Sequence, residues 1–316
     1  MGHPNKTSEK FFLLGLSTDP YLQVICFLVF LVIYLTTLSG NLLLIFVVRS
    51  NPKLQTPMYF FLSNLSIIDL CFSSTIVPIL LLNTISTNGS ISLDGCATQM
   101  FFSLVLGATE CLLLAVMAYD RYAAICKPLH YNAIMNKKSC IGLALIAWSG
   151  GLVNATIHVV LTFQLPYCRS HHVNHFFCEV PPFLRLSCRD TRLNEIAMYI
   201  AAGIISLCAF LLTLISYVHI VSTILKIRSS QGRLKAFSTC ASHLTVVTLY
   251  YGTITFIYLQ PRSAFSSETD KVVSIIYTVI TPMLNPIIYS IRNKDVKSSI
   301  IRNPLRQTNP IKKTLI

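Results

Sequence analysis

The chain has 316 residues, of which 53% are hydrophobic and only 12% charged, and its formal net charge is +13. Soluble domains carry about a quarter charged residues, so this composition excludes an ordinary soluble fold and points to a lipid-embedded one. The basic excess is scattered through short segments between apolar stretches, which argues against a nucleic-acid-binding surface.

A helix needs about 20 apolar residues to cross the hydrocarbon core. Seven intervals between ionisable residues are long enough: Asp19 to Arg49, Lys53 to Asp94 (interrupted by Asp69), Asp94 to Asp120 (interrupted by Glu110), Lys138 to Arg169, Glu195 to Lys226, Lys235 to Arg262, and Lys271 to Arg292. The expected fold is an all-α membrane protein, a seven-transmembrane-helix bundle at 22–291, preceded by residues 1–21 and followed by a tail at 292–316. Lys and Arg beside spans are retained on the cytoplasmic side. Of the 25 basic residues, 17 lie in the first, third and fifth connections and the tail. That distribution predicts an extracellular N-terminus and a cytoplasmic C-terminus, with Asn5 of Asn5-Lys-Thr7 as a glycosylation acceptor and Asn88 of Asn88-Gly-Ser90 as a weaker one.

In chain order, the first span carries Gly40-Asn41 about midway. The second opens on Thr56-Pro-Met-Tyr-Phe-Phe-Leu62 and holds Asp69. The third holds Glu110 and closes on Met117-Ala-Tyr-Asp-Arg-Tyr-Ala-Ala-Ile-Cys126, which leaves Arg121 at the membrane edge with Asp120 as its local counter-charge. Cys96 opens that span, and Cys168, Cys178 and Cys188 follow the fourth. All four face an oxidising compartment, and three pairings are open to them. The fifth span ends in Ser216-Tyr217, within reach of Arg121 should the cytoplasmic ends rearrange. The sixth begins with Lys235-Ala-Phe-Ser-Thr-Cys-Ala-Ser-His243, carries Tyr250-Tyr251-Gly252 and has no internal proline. The seventh carries Pro282-Met-Leu-Asn-Pro-Ile-Ile-Tyr289, where Pro286 removes a backbone hydrogen bond and invites a kink. Beyond it, Val296, Ile300 and Ile301 share one face of a short amphipathic helix whose Arg292, Lys294 and Lys297 meet anionic headgroups of membrane lipid.

Five of these motifs, in this order and spacing, resemble those of odorant receptors, the tetrapod-type (class II) branch of the rhodopsin-like G-protein-coupled receptors. The resemblance spans almost the whole chain. Most rhodopsin-like receptors have tryptophan and proline where this sixth span has Tyr250-Tyr251-Gly252, a departure that suits the odorant branch. The resemblance implies coupling and activation roles for Asp120, Arg121, Tyr122, Tyr217, Lys235, His243, Asn285, Pro286 and Tyr289. It selects the disulfides Cys96–Cys178 and Cys168–Cys188, and implies a sodium ion between Asp69 and Glu110 as an allosteric modulator. It also implies a small volatile odorant as ligand, a stimulatory olfactory G protein as partner, cyclic AMP as output, and the plasma membrane of olfactory neuron cilia as location. His171-His172-Val-Asn-His175-Phe-Phe-Cys178-Glu179 has metal-ligand residue types, but a Cys178 in a disulfide offers no thiolate, which weighs against a metal there.

Helical spacing selects the expected pocket. Leu104, Gly107, Ala108 and Cys111 fall on one side of the third span, and Tyr251, Ile254 and Tyr258 on one side of the sixth. Ile205, Ser206, Tyr277 and Thr278 complete the wall. No charged side chain is expected in it, so the ligand should be small, neutral and mostly apolar, with one hydrogen-bonding group. Ser103 and Leu104 stand where amine receptors place an acid, and no lysine lies between Lys271 and Arg292 to bind retinal. A transporter or channel is disfavoured by the lack of an internal repeat. No catalytic arrangement of serine, cysteine or paired acids is present, so no enzyme is expected.

Overall fold

A computed structural model describes residues 10–16, 19–86, 89–168, 171–259, 267–292 and 296. Asn5, Asn88 and, apart from Val296, the expected amphipathic helix lie outside the described residues, as do the side chains of Lys235 and Tyr258.

Local chemistry sets where the helices begin. Asp19 caps α1 (Pro20–Ser50) by accepting from the Tyr21 N–H at 2.8 Å, and Pro20 fills a first-turn position whose N–H has no helical acceptor in any case. α2 (Pro57–Ile85) also opens on a proline. Ser92 caps α3 (Leu93–Cys126) by accepting from Gly95 at 3.1 Å. After the short α4 (Tyr131–Ile134), Asn136 caps α5 (Lys137–Phe163) by accepting from Ser139 at 3.0 Å. A short α6 (Val180–Leu184) precedes α7 (Arg192–Leu225) and α8 (Ser230–Leu259). The last rod is α9 (Ser267–Ile275), a π-helical turn at Ile276–Ile280, and α10 (Thr281–Arg292).

α1, α2, α3, α5, α7 and the stretch Thr269–Tyr289 are each long and apolar enough to cross a membrane. α8 has the length, 30 residues, but is more polar. Its polar groups turn inward: Ser242 and His243 are buried, and the Tyr250 hydroxyl donates to the Gly107 carbonyl of α3 at 2.5 Å. With α8 included, the seven expected rods are present.

α3 is the central rod, packed most extensively on α5 and α7 and also against α2 and α8. Two glycines permit close approaches. A Cβ on Gly151 of α5 would stand 2.6 Å from the Val105 carbonyl oxygen, and one on Gly40 of α1 would stand 3.1 Å from Pro286 Cγ. α1 is peripheral, resting on α2 and α10 and exposing Leu22, Val24, Leu28 and Val32, as a lipid-facing helix should.

The helical bundle carries one small addition that the sequence did not announce. A three-stranded sheet caps one end of the bundle: β1 (Lys10–Leu13) pairs antiparallel with β2 (Ser90–Ser92) and parallel with β3 (His172–Val173). Phe11 of β1 is fully buried, its ring 5.1 Å from that of Phe183 and 5.7 Å from that of Tyr167. Strands of two to four residues are too short to carry a period-two pattern. They are held by the loop after α5, which Cys96–Cys178 ties to the start of α3 (Cα–Cα 5.4 Å) and Cys168–Cys188 ties to itself (5.9 Å).

Candidate ligand cavity and the Arg121 end

On the disulfide side of the bundle lies a cavity of about 150 Å³. A void of that size holds a benzene-sized molecule. Leu104, Gly107, Ala108 and Cys111 line it from α3, Ile205 and Ser206 from α7, Ile254 from α8 and Tyr277 from the π turn. Two expected wall residues are elsewhere. Tyr251 is buried against α3, where its hydroxyl donates to the Cys111 carbonyl at 3.1 Å. Thr278 is buried, with its hydroxyl donating to the Ser274 carbonyl at 2.6 Å. Both Tyr277 and Thr278 lie in the π turn Ile276–Ile280, and of these neighbours it is Tyr277 that lines the cavity.

The cavity also has walls that helix spacing did not select: Tyr250, Phe72 of α2, Asn154 and His158 of α5, and Phe177 and Glu179 of the loop. Asn154 and His158 stand four apart in an apolar span, a polar pair on one face that the sequence does display. The loop residues carry no such periodicity.

The expectation of an uncharged wall is corrected by two carboxylates, Glu110 and Glu179, both of which line the cavity. Glu179 Oε1 accepts from the Tyr277 hydroxyl at 2.9 Å, while Oε2 stands 3.6 Å from His175 Nε2, too far for a hydrogen bond. The Glu179 side chain is 27% exposed, toward the cavity. Burial pushes its carboxyl up to about 7; the Tyr277 hydrogen bond opposes the rise and Asp270 adds to it. His175 is buried beside the rings of Phe176 and Phe177, both 4.7 Å away. Burial, with Lys271 nearby, brings it down to about 3, so it is neutral and forms no ion pair with Glu179.

Deeper in the bundle, Asn285 Nδ2 donates to both Asp69 oxygens at 3.1 and 3.0 Å, and Asn41 Nδ2 donates to the carbonyls of Thr37 (3.0 Å) and Pro282 (3.1 Å). α1, α2 and α10 are thereby joined by buried polar contacts. Three acceptors here, Glu110 Oε1, Asn41 Oδ1 and Asn285 Oδ1, are buried with no donor among the described residues. An unmatched buried acceptor is destabilising by about 1–3 kcal/mol, so this oxygen-rich set fits a small hard cation. It holds two carboxylates, and no group of three or more His, Cys, Asp or Glu suited to a metal occurs among the described residues.

At the other end of α3, Asp120 is fully buried and Arg121 only 9% exposed. The guanidinium is clamped on its neighbour, with Arg121 Nε donating to Asp120 Oδ2 at 3.0 Å and Nη2 closing a second contact to the same oxygen. Asp120 Oδ1 accepts from the Tyr131 hydroxyl of α4 at 2.7 Å, a partner that no motif indicates. Tyr217 does not reach Arg121 in this arrangement; its hydroxyl is 2.7 Å from His243 Nδ1, and His243 Nε2 is 3.1 Å from the Leu114 carbonyl. A carbonyl only accepts, so Nε2 carries the proton and Tyr217 donates to Nδ1. α3, α7 and α8 are thus bonded through one histidine. Tyr122 packs by Tyr119 and His219, and the Tyr289 hydroxyl is buried with no partner among the described residues.

The family model described as "Olfactory receptor" matches residues 30–307. The chain is 50% identical over 293 residues to olfactory receptor-like protein OLF1 of Canis lupus familiaris, covering 93% of this chain and 94% of that one. It is 50% identical over 290 residues to olfactory receptor 5AR1 of Mus musculus (92% and 94% covered) and 49% identical over 290 residues to olfactory receptor 5I1 of Homo sapiens (92% of each).

Proposed function

The chain belongs to the olfactory receptor family, multi-pass membrane receptors and not enzymes, and on that premise we propose how it receives an odorant and passes the signal on. A small, mostly apolar volatile occupies the cavity on the disulfide side. The Arg121 end then opens to a stimulatory olfactory G protein, and cyclic AMP rises.

The observation that carries this reading is that α3 and α8 each serve both ends. α3 lines the cavity from Leu104 to Cys111 and bears Arg121 ten residues on, about 15 Å along a helix. α8 lines the cavity with Ile254 and bonds α3 and α7 through His243. A ligand that fits the open arrangement better than the closed one shifts the population toward it. Opening requires Arg121 to leave Asp120 and Tyr217 to leave His243, which frees both side chains at the G-protein face. Pro286 and the Tyr289 hydroxyl, which has no partner among the described residues, give α10 a place to yield. Tyr122 flanks this face, and we assign Lys235 to it from its place in the chain, in the first turns of α8.

A sodium ion, held by Asp69, Glu110 and the Asn285 side-chain oxygen, would supply the positive charge that the buried acceptors lack and favour the closed bundle. We place the N-terminus, with its Asn5 sequon, outside the cell and the basic tail in the cytoplasm. The site of action is the plasma membrane of olfactory neuron cilia.

The test is a screen of diverse volatiles against a cyclic AMP reporter, repeated with Arg121→Glu at matched surface level. Charge reversal is expected to abolish ligand-dependent cyclic AMP. A fully signalling Arg121→Glu receptor would remove Arg121 from the mechanism, and a wild-type receptor that answers no volatile would remove the receptor reading itself.

A further inference from the structure

We propose that the cavity selects ligands whose polar end is a hydrogen-bond-donating amine, and that the loop carboxylate of Glu179, steadied by Tyr277, is the group that receives it. This rests on the odorant-receptor reading and names the ligand class for that same cavity.

The acid that Ser103 and Leu104 do not supply from α3 is supplied by the loop instead. Cys178 is bonded to Cys96 at the start of α3, so Glu179 is fixed at the mouth of the bundle. One of its oxygens is occupied by the Tyr277 hydroxyl at 2.9 Å, which orients the carboxylate; the other meets no donor within hydrogen-bond distance among the described residues. The ring of His175 is 3.6 Å away and neutral, too far to serve as that donor. A ligand donor at this point satisfies the Glu179 oxygen that the fold leaves open.

The rest of the wall agrees. Among the described residues that line the cavity, the ionisable acids are Glu179 and Glu110, and none is a lysine or arginine. Arg185 and Lys271 are the cations nearby; they act on His175 from outside the wall, and Lys271 Nζ is directed to the Gly15 carbonyl at 3.5 Å. A carboxylic-acid ligand would therefore meet two acids, with His158 of α5 the one basic side chain among the described lining residues, while an amine meets an acid at the mouth and an apolar path along Leu104, Ile205 and Ile254. Burial raises the Glu179 carboxyl to about 7, and an arriving ammonium favours its ionised form, so the bound ligand keeps its counter-charge. A cavity of about 150 Å³ limits the chain to roughly six carbons.

The experiment uses the full-length receptor purified in detergent, with n-hexylamine, 1-hexanol, hexanoic acid and hexane as probes and thermal stabilisation as the readout. The same four are applied to reporter cells. Hexylamine is expected to act at concentrations at least about tenfold lower than hexanoic acid, as suits a hydrogen bond to a charged group. Glu179→Gln is expected to weaken hexylamine about tenfold or more and to leave 1-hexanol within about threefold. Equal or better binding of hexanoic acid, or a Glu179→Gln receptor with an unchanged amine preference, overturns the inference. If that variant fails to reach the surface, the wild-type ratio of amine to acid decides alone. Receptors that answer other volatiles but none of the four refute the amine assignment and leave the receptor reading standing; receptors that answer no volatile at all refute that reading.

Discussion

Asp120 is the residue on which the closed Arg121 end depends, because it takes the guanidinium on one oxygen and the Tyr131 hydroxyl on the other. Tyr131→Phe leaves a buried carboxylate oxygen without a donor, which is destabilising by about 1–3 kcal/mol. The closed arrangement is weakened, so basal cyclic AMP is expected to rise severalfold at matched surface level; an unchanged baseline would show that Tyr131 does not hold the closed form. His243→Ala removes a donor to Leu114 and an acceptor for Tyr217 at once, and the purified receptor should melt several degrees lower. At this scale the sequence was legible where one helical face decides, as with Leu104, Gly107, Ala108 and Cys111. It was not legible where adjacent residues compete. Tyr250 and Tyr251 both hydrogen-bond to α3 carbonyls, and only packing places Tyr250 on the cavity and Tyr251 beside it. Glu179 lies in a loop, where no period announces which side chain turns inward.

Among the elements, α8 shows why the interval between ionisable residues found a span that apolar character alone misses. Its polarity is in hydroxyls, a thiol and an imidazole that bond to neighbouring helices, and such groups are tolerated in a membrane when they are paired. The sheet was invisible for the opposite reason: its strands are too short to leave a pattern, and their pairing depends on a loop folded back by two disulfides. The π turn escaped as well, since an extra residue in a helix alters register without altering composition. The α3–α5 contact yields a clean comparison of two glycines. Gly151→Val forces a side chain onto the Val105 carbonyl and should cost about 1–3 kcal/mol, seen as a lower melting temperature and poor surface delivery. Gly107→Leu meets no atom within 4 Å of the new Cβ, so the receptor should fold and reach the surface. Its leucine fills the cavity, and responses to volatiles should fall at least tenfold. Unchanged responses would place the ligand elsewhere.

For the whole molecule, the motif order and the seven charge-poor intervals already indicated the bundle and its family, while the acidic mouth of the cavity came only from the fold. That mouth has a consequence for stability. Glu179 ionises at about 7 in the fold, against 4.5 for an exposed glutamate. The folded state holds the proton more tightly, so this contribution is complete below about pH 4.5 and is lost as the pH rises through 7. Glu179→Gln is expected to flatten the fall in melting temperature between pH 5 and pH 8; an equally steep fall would mean that another group titrates. The account as a whole claims that filling the cavity at one end loosens the other. Cys240 reports on this directly, since it is 1% exposed and packs with Ala118, Tyr217, Ile220 and Ile224 at the Arg121 end. The measurement is the rate of Cys240 alkylation, resolved by peptide mass spectrometry, in membranes with and without a volatile that activates the receptor. The prediction is faster labelling with the volatile in the wild type and no acceleration in Gly107→Leu. A receptor that signals while Cys240 labels at the same slow rate would contradict the account.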